Sequence, residues 1–281
     1  MTKKINFNLI NKEPRISQYF YSLEGEGYVI GEPSLYLRLA GCYSAACKFC
    51  DTKFSWFEKN GKKELYPLFS EFLQNEKIQQ FFREIDYKVR RLTITGGEPL
   101  HYINNFYFMV NELLKYLNLN FFGIESNGNL LHKAENIINL SKILKKIKHD
   151  LNILPMLTIS PKLNPEICYP NTGLNEDEIL KMYRQVYFNI VDYLDLSISV
   201  NFKFIYGISD YDNDLVMRNI NFLLSSIKYS RHKIFLMPFT PFDPLGKNRE
   251  LWEESKRKTA IKALELGVRY SPRLHIDLNL D

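Results

Sequence analysis

The stretch Ser34-Leu35-Tyr36-Leu37-Arg38-Leu39-Ala40, which runs through Gly41 into Cys42 and on to Cys47-Lys48-Phe49-Cys50, decides both the fold and the chemistry. Leucine at every second position is the period of a strand, so Leu35, Leu37 and Leu39 share one face while Tyr36, Arg38 and Ala40 share the other. If the leucines pack against helices, Arg38 points to the opposite side. An arginine there requires an anion or a solvated cavity. Three of the chain's four cysteines follow within nine residues. Three thiolates do not close a tetrahedral structural zinc site, but they can hold a four-iron cluster and leave one iron open to a small-molecule ligand. A zinc site or a redox pair stands as the alternative from the cysteines alone. Zinc would need a fourth ligand, from Cys168 or one of five histidines.

Working outward, strand-like and helix-like segments alternate along the rest of the chain. Strands are expected at Arg15 to Ser22, Arg91 to Thr95, Phe121 to Glu125, Met156 to Ser160, Asn201 to Ile205 and Ile234 to Met237. Helices are expected at Tyr66 to Ile85, Ile103 to Leu117, Leu131 to Lys148, Glu176 to Val191, Asp212 to Tyr229 and Lys247 to Leu266, before an extended tail. This order implies an α/β fold with a parallel sheet, read as a partial (β/α) barrel of about six strands in one domain over residues 1–281. Insertions are expected near 58–88 and 165–177. Informative residues recur just after the strands, where sites form in such folds. Gly96-Gly97-Glu98-Pro99, Glu125-Ser126-Asn127-Gly128 and Ser160-Pro161-Lys162 each close a strand. Parity places Thr93, Thr95 and Lys203 on the inward side.

Composition narrows the function classes. The chain has 281 residues, 45% hydrophobic, with Lys and Arg exceeding Asp and Glu by 37 to 32. That mild, dispersed basic bias suits an anionic small molecule and is weak ground for a nucleic-acid partner. No run approaches a membrane span. Lys3 and Lys4 precede apolar residues that Asn6 and Asn8 interrupt, so no signal-peptide core is expected. A cytoplasmic location follows, where clustered cysteines more often bind metal than pair. Cys168, in a Pro-rich stretch, reads as an ordinary unpaired thiol.

Taken together, Ser22-Leu23-Glu24-Gly25-Glu26-Gly27, Arg38-Leu39-Ala40-Gly41-Cys42, Cys47-Lys48-Phe49-Cys50-Asp51-Thr52, Thr95-Gly96-Gly97-Glu98-Pro99, Glu125-Ser126-Asn127-Gly128, Ser160-Pro161-Lys162 and Arg273-Leu274-His275 resemble the radical S-adenosylmethionine superfamily. Within it they resemble the 7-carboxy-7-deazaguanine synthase family of queuosine and deazapurine biosynthesis. The motifs appear in the family's order from about residue 15 to the end of the chain.

The resemblance implies a lyase converting 6-carboxy-5,6,7,8-tetrahydropterin to 7-carboxy-7-deazaguanine with loss of ammonia, using a 4Fe-4S cluster, S-adenosylmethionine and magnesium. It implies Cys42, Cys47 and Cys50 as cluster ligands and Thr52 as a magnesium ligand. Phe49, Cys50, Asp51, Gly97, Glu98, Glu125, Ser160, Pro161 and Lys162 are implied at S-adenosylmethionine, where side-chain-free Gly97 lets backbone carbonyls approach. Leu23, Glu24, Gly25, Glu26, Arg38, Thr95, His275 and Asp281 are implied at the pterin, with carboxylates accepting from ring N–H groups. No side chain is assigned a catalytic role, since the cofactor carries the chemistry. A homodimer and a reducing donor of the flavodoxin or ferredoxin kind are implied as partners.

The match departs from the family in three places. Four residues separate Cys42 from Cys47 where three are usual, Glu24 stands for a usual Gln, and Ser126 for a common Thr. A glycyl-radical activating enzyme shares the cluster and the Gly-Gly-Glu turn, but would not require the Ser22 to Gly27 loop or the Arg273 to His275 tail. The remaining alternative is a non-catalytic zinc or iron–sulfur module.

Overall fold

The computed structural model describes residues 13–42, 47–56, 58–59, 62–63, 66–170 and 172–280. Its first strand, β1 (Ile16–Leu23), runs antiparallel to β2 (Pro33–Leu39), with a bulge between Ile16 and Gln18. β1 is thus the antiparallel member of an otherwise parallel sheet. The physical reason is the connection from Leu23 to Pro33, which is shorter than the dozen or so residues a parallel crossover needs. A two-residue hairpin follows, β3 (Glu58–Lys59) with β4 (Lys62–Lys63). Where one helix was expected over Tyr66 to Ile85 there are two, α1 (Phe69–Gln74) and α2 (Glu76–Ile85). Asn75 breaks them: its extended backbone ends α1, and its side chain caps α2 by accepting from Lys77 N at 2.9 Å.

Regular βα units then begin. β5 (Arg91–Gly96) leads through a 3₁₀ turn, Pro99–Asn105, to α3 (Phe106–Leu113), a shorter helix than expected. β6 (Phe121–Ser126), α4 (Ala134–Asp150), β7 (Leu154–Ile159), the single turn α5 (Pro165–Cys168), α6 (Glu176–Tyr193), β8 (Ser199–Tyr206), α7 (Asp210–Ser225), β9 (Ile234–Pro238) and α8 (Arg249–Leu266) follow. The C-terminal segment is not simply extended. It forms β10 (Arg269–Tyr270), paired with β9, and one helical turn, α9 (Leu274–Asp277).

The eight-stranded sheet has the order β1-β2-β5-β6-β7-β8-β9-β10. Seven strands, β2 and β5 to β10, run parallel, the last only two residues long, close to the expected count of about six, and the sheet is left open between β1 and β10. Among the described residues no helix is long and apolar enough to cross a membrane.

Burial follows the periodicities. On β2 all three leucines are fully buried. Facing helices contribute stripes at three- and four-residue spacing: Ile137, Leu140, Leu144 and Ile147 from α4, and Ile179, Tyr183, Val186 and Ile190 from α6. α6 starts on a reciprocal cap, Glu178 N donating to Asn175 Oδ1 at 3.0 Å and Asn175 N to Glu178 Oε2 at 2.8 Å. The apolar core therefore lies between sheet and helices. The opposite sheet face is left for polar side chains.

Candidate active site

Register brings the cysteine loop against the turn after β5. Leu39 pairs with Gly96, and past them Gly97 N donates to Leu39 O at 2.8 Å and Glu98 N to Gly41 O at 2.7 Å. A side chain at Gly97 could not be accommodated, because its Cβ would lie 2.1 Å from Gly41 O. Two backbones thus touch directly where the cysteines begin. Glu98 is fully buried and accepts from Ser126 Oγ at 2.5 Å, Asn127 N at 2.8 Å and Leu100 N at 3.0 Å. Burial raises its pKa against the pull of these donors. As placed, the Glu98 carboxylate clamps the end of β6 to the turn after β5. Ser126 and Asn127 are its partners, which sequence reasoning left without a role.

All four cysteines are described and none forms a disulfide. Cys47 is buried and hydrogen-bonded to Cys168, a contact that holds the Cys47 thiol below its ordinary pKa and pushes the Cys168 thiol up. Lys48 N donates to Ile167 O at 2.8 Å, which fixes the two segments side by side. Cys168 is a free, buried thiol, as the sequence suggested. Cys50 Sγ lies 3.5 Å from the buried Thr52 Oγ1. Among the described residues no three Cys, His, Asp or Glu side chains converge on one point. The donors on the loop are nonetheless sulfur without histidine, and one of them is already acidified. That set suits iron–sulfur ligation and is foreign to magnesium or calcium. Tyr43 to Ala46, which hold the extra loop residue, lie outside the described residues.

Beside the loop, the ends of β6 and β7 are drawn together. Ser160 N donates to Ser126 O at 2.8 Å, Lys162 N to Tyr183 Oη at 2.9 Å, and Tyr183 Oη in turn to Asn127 O at 3.1 Å. Ser160, Pro161 and Lys162 are thereby tied to the end of β6 at Ser126 and Asn127. Phe49 stands edge-on to Phe239 with centroids 6.4 Å apart, and Lys162 Nζ sits 5.8 Å above the Phe49 ring. Phe239 and Thr240, just past β9, were not singled out from sequence. They carry no motif chemistry, and only the strand-end rule could have pointed to them.

Across the barrel mouth the Leu23 to Gly27 loop meets the C-terminal segment. Glu26 Oε2 accepts from Lys203 Nζ at 2.5 Å and Oε1 from Arg273 Nε at 2.7 Å. Lys203 also reaches Glu125 Oε1 at 3.2 Å, while Arg273 reaches Asp51 Oδ2 at 2.9 Å and Thr240 Oγ1 at 2.8 Å. Although burial works against ionisation, Lys203 and then Arg273 hold the Glu26 carboxyl far below the usual carboxylate range. Burial likewise opposes charge on Lys203, but Glu125 and Glu26 raise its pKa. Leu274 N donates to Gly25 O and Gly27 N to Ser271 Oγ, both at 2.8 Å. His275 packs on Gly25, its pKa lowered chiefly by burial. Asp281 lies outside the described residues.

Below this strap a narrow cleft is lined by Glu24, Glu26, Thr93, Glu125, Met156 and Thr158. Glu24 is buried, accepting from Tyr36 Oη at 2.7 Å and from Thr93 Oγ1. Burial and then the nearby Glu125 charge raise its pKa. Thr93, one pleat deeper than the expected Thr95, therefore makes the contact to the loop; Thr95 sits level with Arg38 by register. Arg38 stacks over Phe20 at 5.2 Å and its buried Nε has no partner.

Comparison with known proteins agrees with this geometry. A family described as a 4Fe-4S single cluster domain matches residues 23–153. A 7-carboxy-7-deazaguanine synthase from Hyperthermus butylicus is 29% identical over 274 residues, 96% of this chain and 95% of that protein. The Escherichia coli K12 protein of the same name is 29% identical over 161 residues, 53% of this chain and 61% of its own length. The crystal structure of QueE from Escherichia coli shares the fold, with a TM-score of 0.53 at 18% identity over 98% of this chain and all of that one. The sulfur loop and the glycine turn beneath it thus lie in a segment similar to a 4Fe-4S single cluster domain, on a chain similar over nearly its whole length to a 7-carboxy-7-deazaguanine synthase.

Proposed function

We propose that the protein converts 6-carboxy-5,6,7,8-tetrahydropterin to 7-carboxy-7-deazaguanine with release of ammonia, the activity for which its relatives are named. The observation that carries this reading is the Glu24 to Glu26 loop, held over an inward Arg38 by the C-terminal strap. A pterin presents an N–H-rich pyrimidine edge and, in this substrate, one carboxylate. The carboxylate acceptors lining the cleft and the Arg38 guanidinium, whose buried Nε has no hydrogen-bond partner, match those two features. A glycyl-radical activator would need an open groove for a protein substrate. Here the strap covers the mouth.

Cys42, Cys47 and Cys50 would hold the cluster, with the Cys47 side chain turning from Cys168 toward its neighbours. Phe49, Asp51, the Gly97 backbone, Glu125 and Ser160-Pro161-Lys162 would border S-adenosylmethionine, and Thr52 would hold magnesium against the substrate carboxylate. When bound, the reduced cluster with S-adenosylmethionine supplies the hydrogen-abstracting radical that starts the ring contraction. The chain's own residues bind and orient. Glu24 and Glu26 accept ring N–H groups, Arg38 and Thr95 take the substrate anion, and His275, packed on Gly25, closes the pocket against water. Lys203 bridges Glu26 and Glu125. Protein-level partners in this reading are a second copy of the chain and a flavodoxin- or ferredoxin-type donor in the cytoplasm, with no membrane or nucleic-acid role.

The test is turnover. Anaerobically reconstituted, reduced protein given S-adenosylmethionine, magnesium and the carboxypterin should release ammonia and the deazaguanine acid in equal amounts. Cleavage of S-adenosylmethionine without a deazapurine product would refute the assignment.

A further inference from the structure

We propose that Arg273 is a positioning residue that couples the two halves of the site, so that the pterin and S-adenosylmethionine strengthen each other's binding through its guanidinium. The inference rests on the functional reading above, which puts Glu26 at the pterin and Asp51 at S-adenosylmethionine but gives Arg273 no ligand. Three nitrogens of this one side chain go to three different loops. Nε donates to Glu26 Oε1 at 2.7 Å on the connection between β1 and β2, Nη1 to Thr240 Oγ1 at 2.8 Å past the end of β9, and Nη2 to Asp51 Oδ2 at 2.9 Å beside Cys50. The guanidinium is planar and rigid, so it holds these partners at a fixed spacing. Its backbone is braced as well. Leu274 N donates to Gly25 O and Gly27 N to Ser271 Oγ, both at 2.8 Å, while Asp277 accepts from the buried Trp252 Nε1 at 2.9 Å.

The two ends of the bridge differ in strength. Arg273 and Glu26 are 14% and 13% exposed, whereas Asp51 is 64% exposed. An ion pair with one member in solvent holds weakly, so in the ligand-free chain the cysteine-loop arm is the loose one. Once Asp51 is held against S-adenosylmethionine that arm is fixed, and with it the guanidinium, Glu26 and the strap over the cleft. The pterin then meets a loop already ordered, and the saved ordering cost appears as tighter binding. The coupling is reciprocal by thermodynamic necessity: the factor gained by one ligand is gained by the other. Such factors run from about 5- to 150-fold, and a single loose arm puts this one near the lower end.

The experiment uses the full chain with its cluster reconstituted and left oxidised, so that nothing turns over, for the parent, Arg273→Lys and Asp51→Ala. Equilibrium dialysis gives the Kd of S-adenosylmethionine with and without the carboxypterin, and the Kd of the carboxypterin with and without S-adenosylmethionine. Hydrogen exchange follows the amides of residues 271–280. In the parent each ligand should tighten the other about fivefold, and S-adenosylmethionine alone should slow exchange in the tail. Arg273→Lys keeps the charge without the fork, and Asp51→Ala cuts only the cysteine-loop arm; both should bring the factor below about twofold. Asp51→Ala should leave the affinity for the carboxypterin alone at the parent value, and it decides the matter by itself should Arg273→Lys not hold the carboxypterin. An uncoupled parent, or a factor that survives in either variant, overturns the inference and leaves the functional reading standing. A parent that binds S-adenosylmethionine but no carboxypterin refutes that reading, and the inference with it.

Discussion

Replacing Lys203 by Met removes the cation at the centre of the barrel mouth while keeping the side chain's bulk. Lys203 is 4% exposed, and its two acidic partners Glu26 and Glu125 are 13% and 29% exposed. Deleting one member of a buried ion pair costs about 3–5 kcal/mol, mainly from the charge left behind. Glu26 keeps Arg273 at 2.7 Å, and Glu125 retains some solvent, so the lower end applies, about 3 kcal/mol. For a chain of this size that corresponds to a fall in melting temperature of about 6–10 °C. Lys203→Arg preserves the charge and should recover more than half of the loss. Because the Glu26 carboxyl is held below its ordinary value of 4.5, its contribution is complete above that pH and disappears as pH falls below it. Lys203 has the opposite sign: its raised pKa makes its contribution complete below the unfolded value near 10.4 and lost only at higher pH. Calorimetric melting of the parent, Lys203→Met and Lys203→Arg from pH 4 to 9 tests this. A Met variant melting within about 1 °C of the parent at pH 7 would show that the network does not bear load.

Three more outcomes follow from the same geometry. Glu24→Gln removes a buried carboxyl whose pKa is raised by burial and by Glu125, so it should stabilise by about 1 kcal/mol at pH 7, with the gain fading in denaturant titrations as pH falls through that raised value and the parent carboxyl becomes neutral. Gly25→Ala puts a Cβ 1.9 Å from His275 Nδ1, so it should lift the tail, expose residues 271–280 to limited proteolysis and raise KM by about tenfold with little change in melting. Gly97→Ala drives a methyl into the Gly41 carbonyl at 2.1 Å; it should cost about 1–3 kcal/mol and lower iron per chain, because the cysteine loop must move.

How much of this was legible in the sequence depends on the range of each interaction. Leu35, Leu37 and Leu39 announced their strand and placed Arg38 inward, since alternation is a property of neighbouring residues. The direction of β1 was not encoded in its alternation, although the short Leu23 to Pro33 connection held the answer. Asn75 before Glu76 was a cap signal inside an apolar run that read as one helix. In the site, the ordered motifs located the loops, and Lys203 was placed inward by parity. Its role between Glu26 and Glu125 needed strands far apart in the chain to come together. The donors that hold Glu98, Ser126 and Asn127, lie one βα unit away, beyond the reach of a local pattern. The pairing of Cys47 with Cys168 spans a still longer stretch of chain, and no local pattern marks it.

The account stands or falls on a sulfur-held cluster with one accessible iron. The most direct measurement is the electron paramagnetic resonance spectrum of the anaerobically reconstituted, reduced protein, recorded with and without S-adenosylmethionine and accompanied by iron, sulfide and zinc analysis. The account predicts about four irons and four sulfides per chain and a spectrum that changes when S-adenosylmethionine is added, as expected when a ligand reaches the open iron. A colourless protein holding one zinc, or a cluster whose signal is indifferent to S-adenosylmethionine, would contradict it.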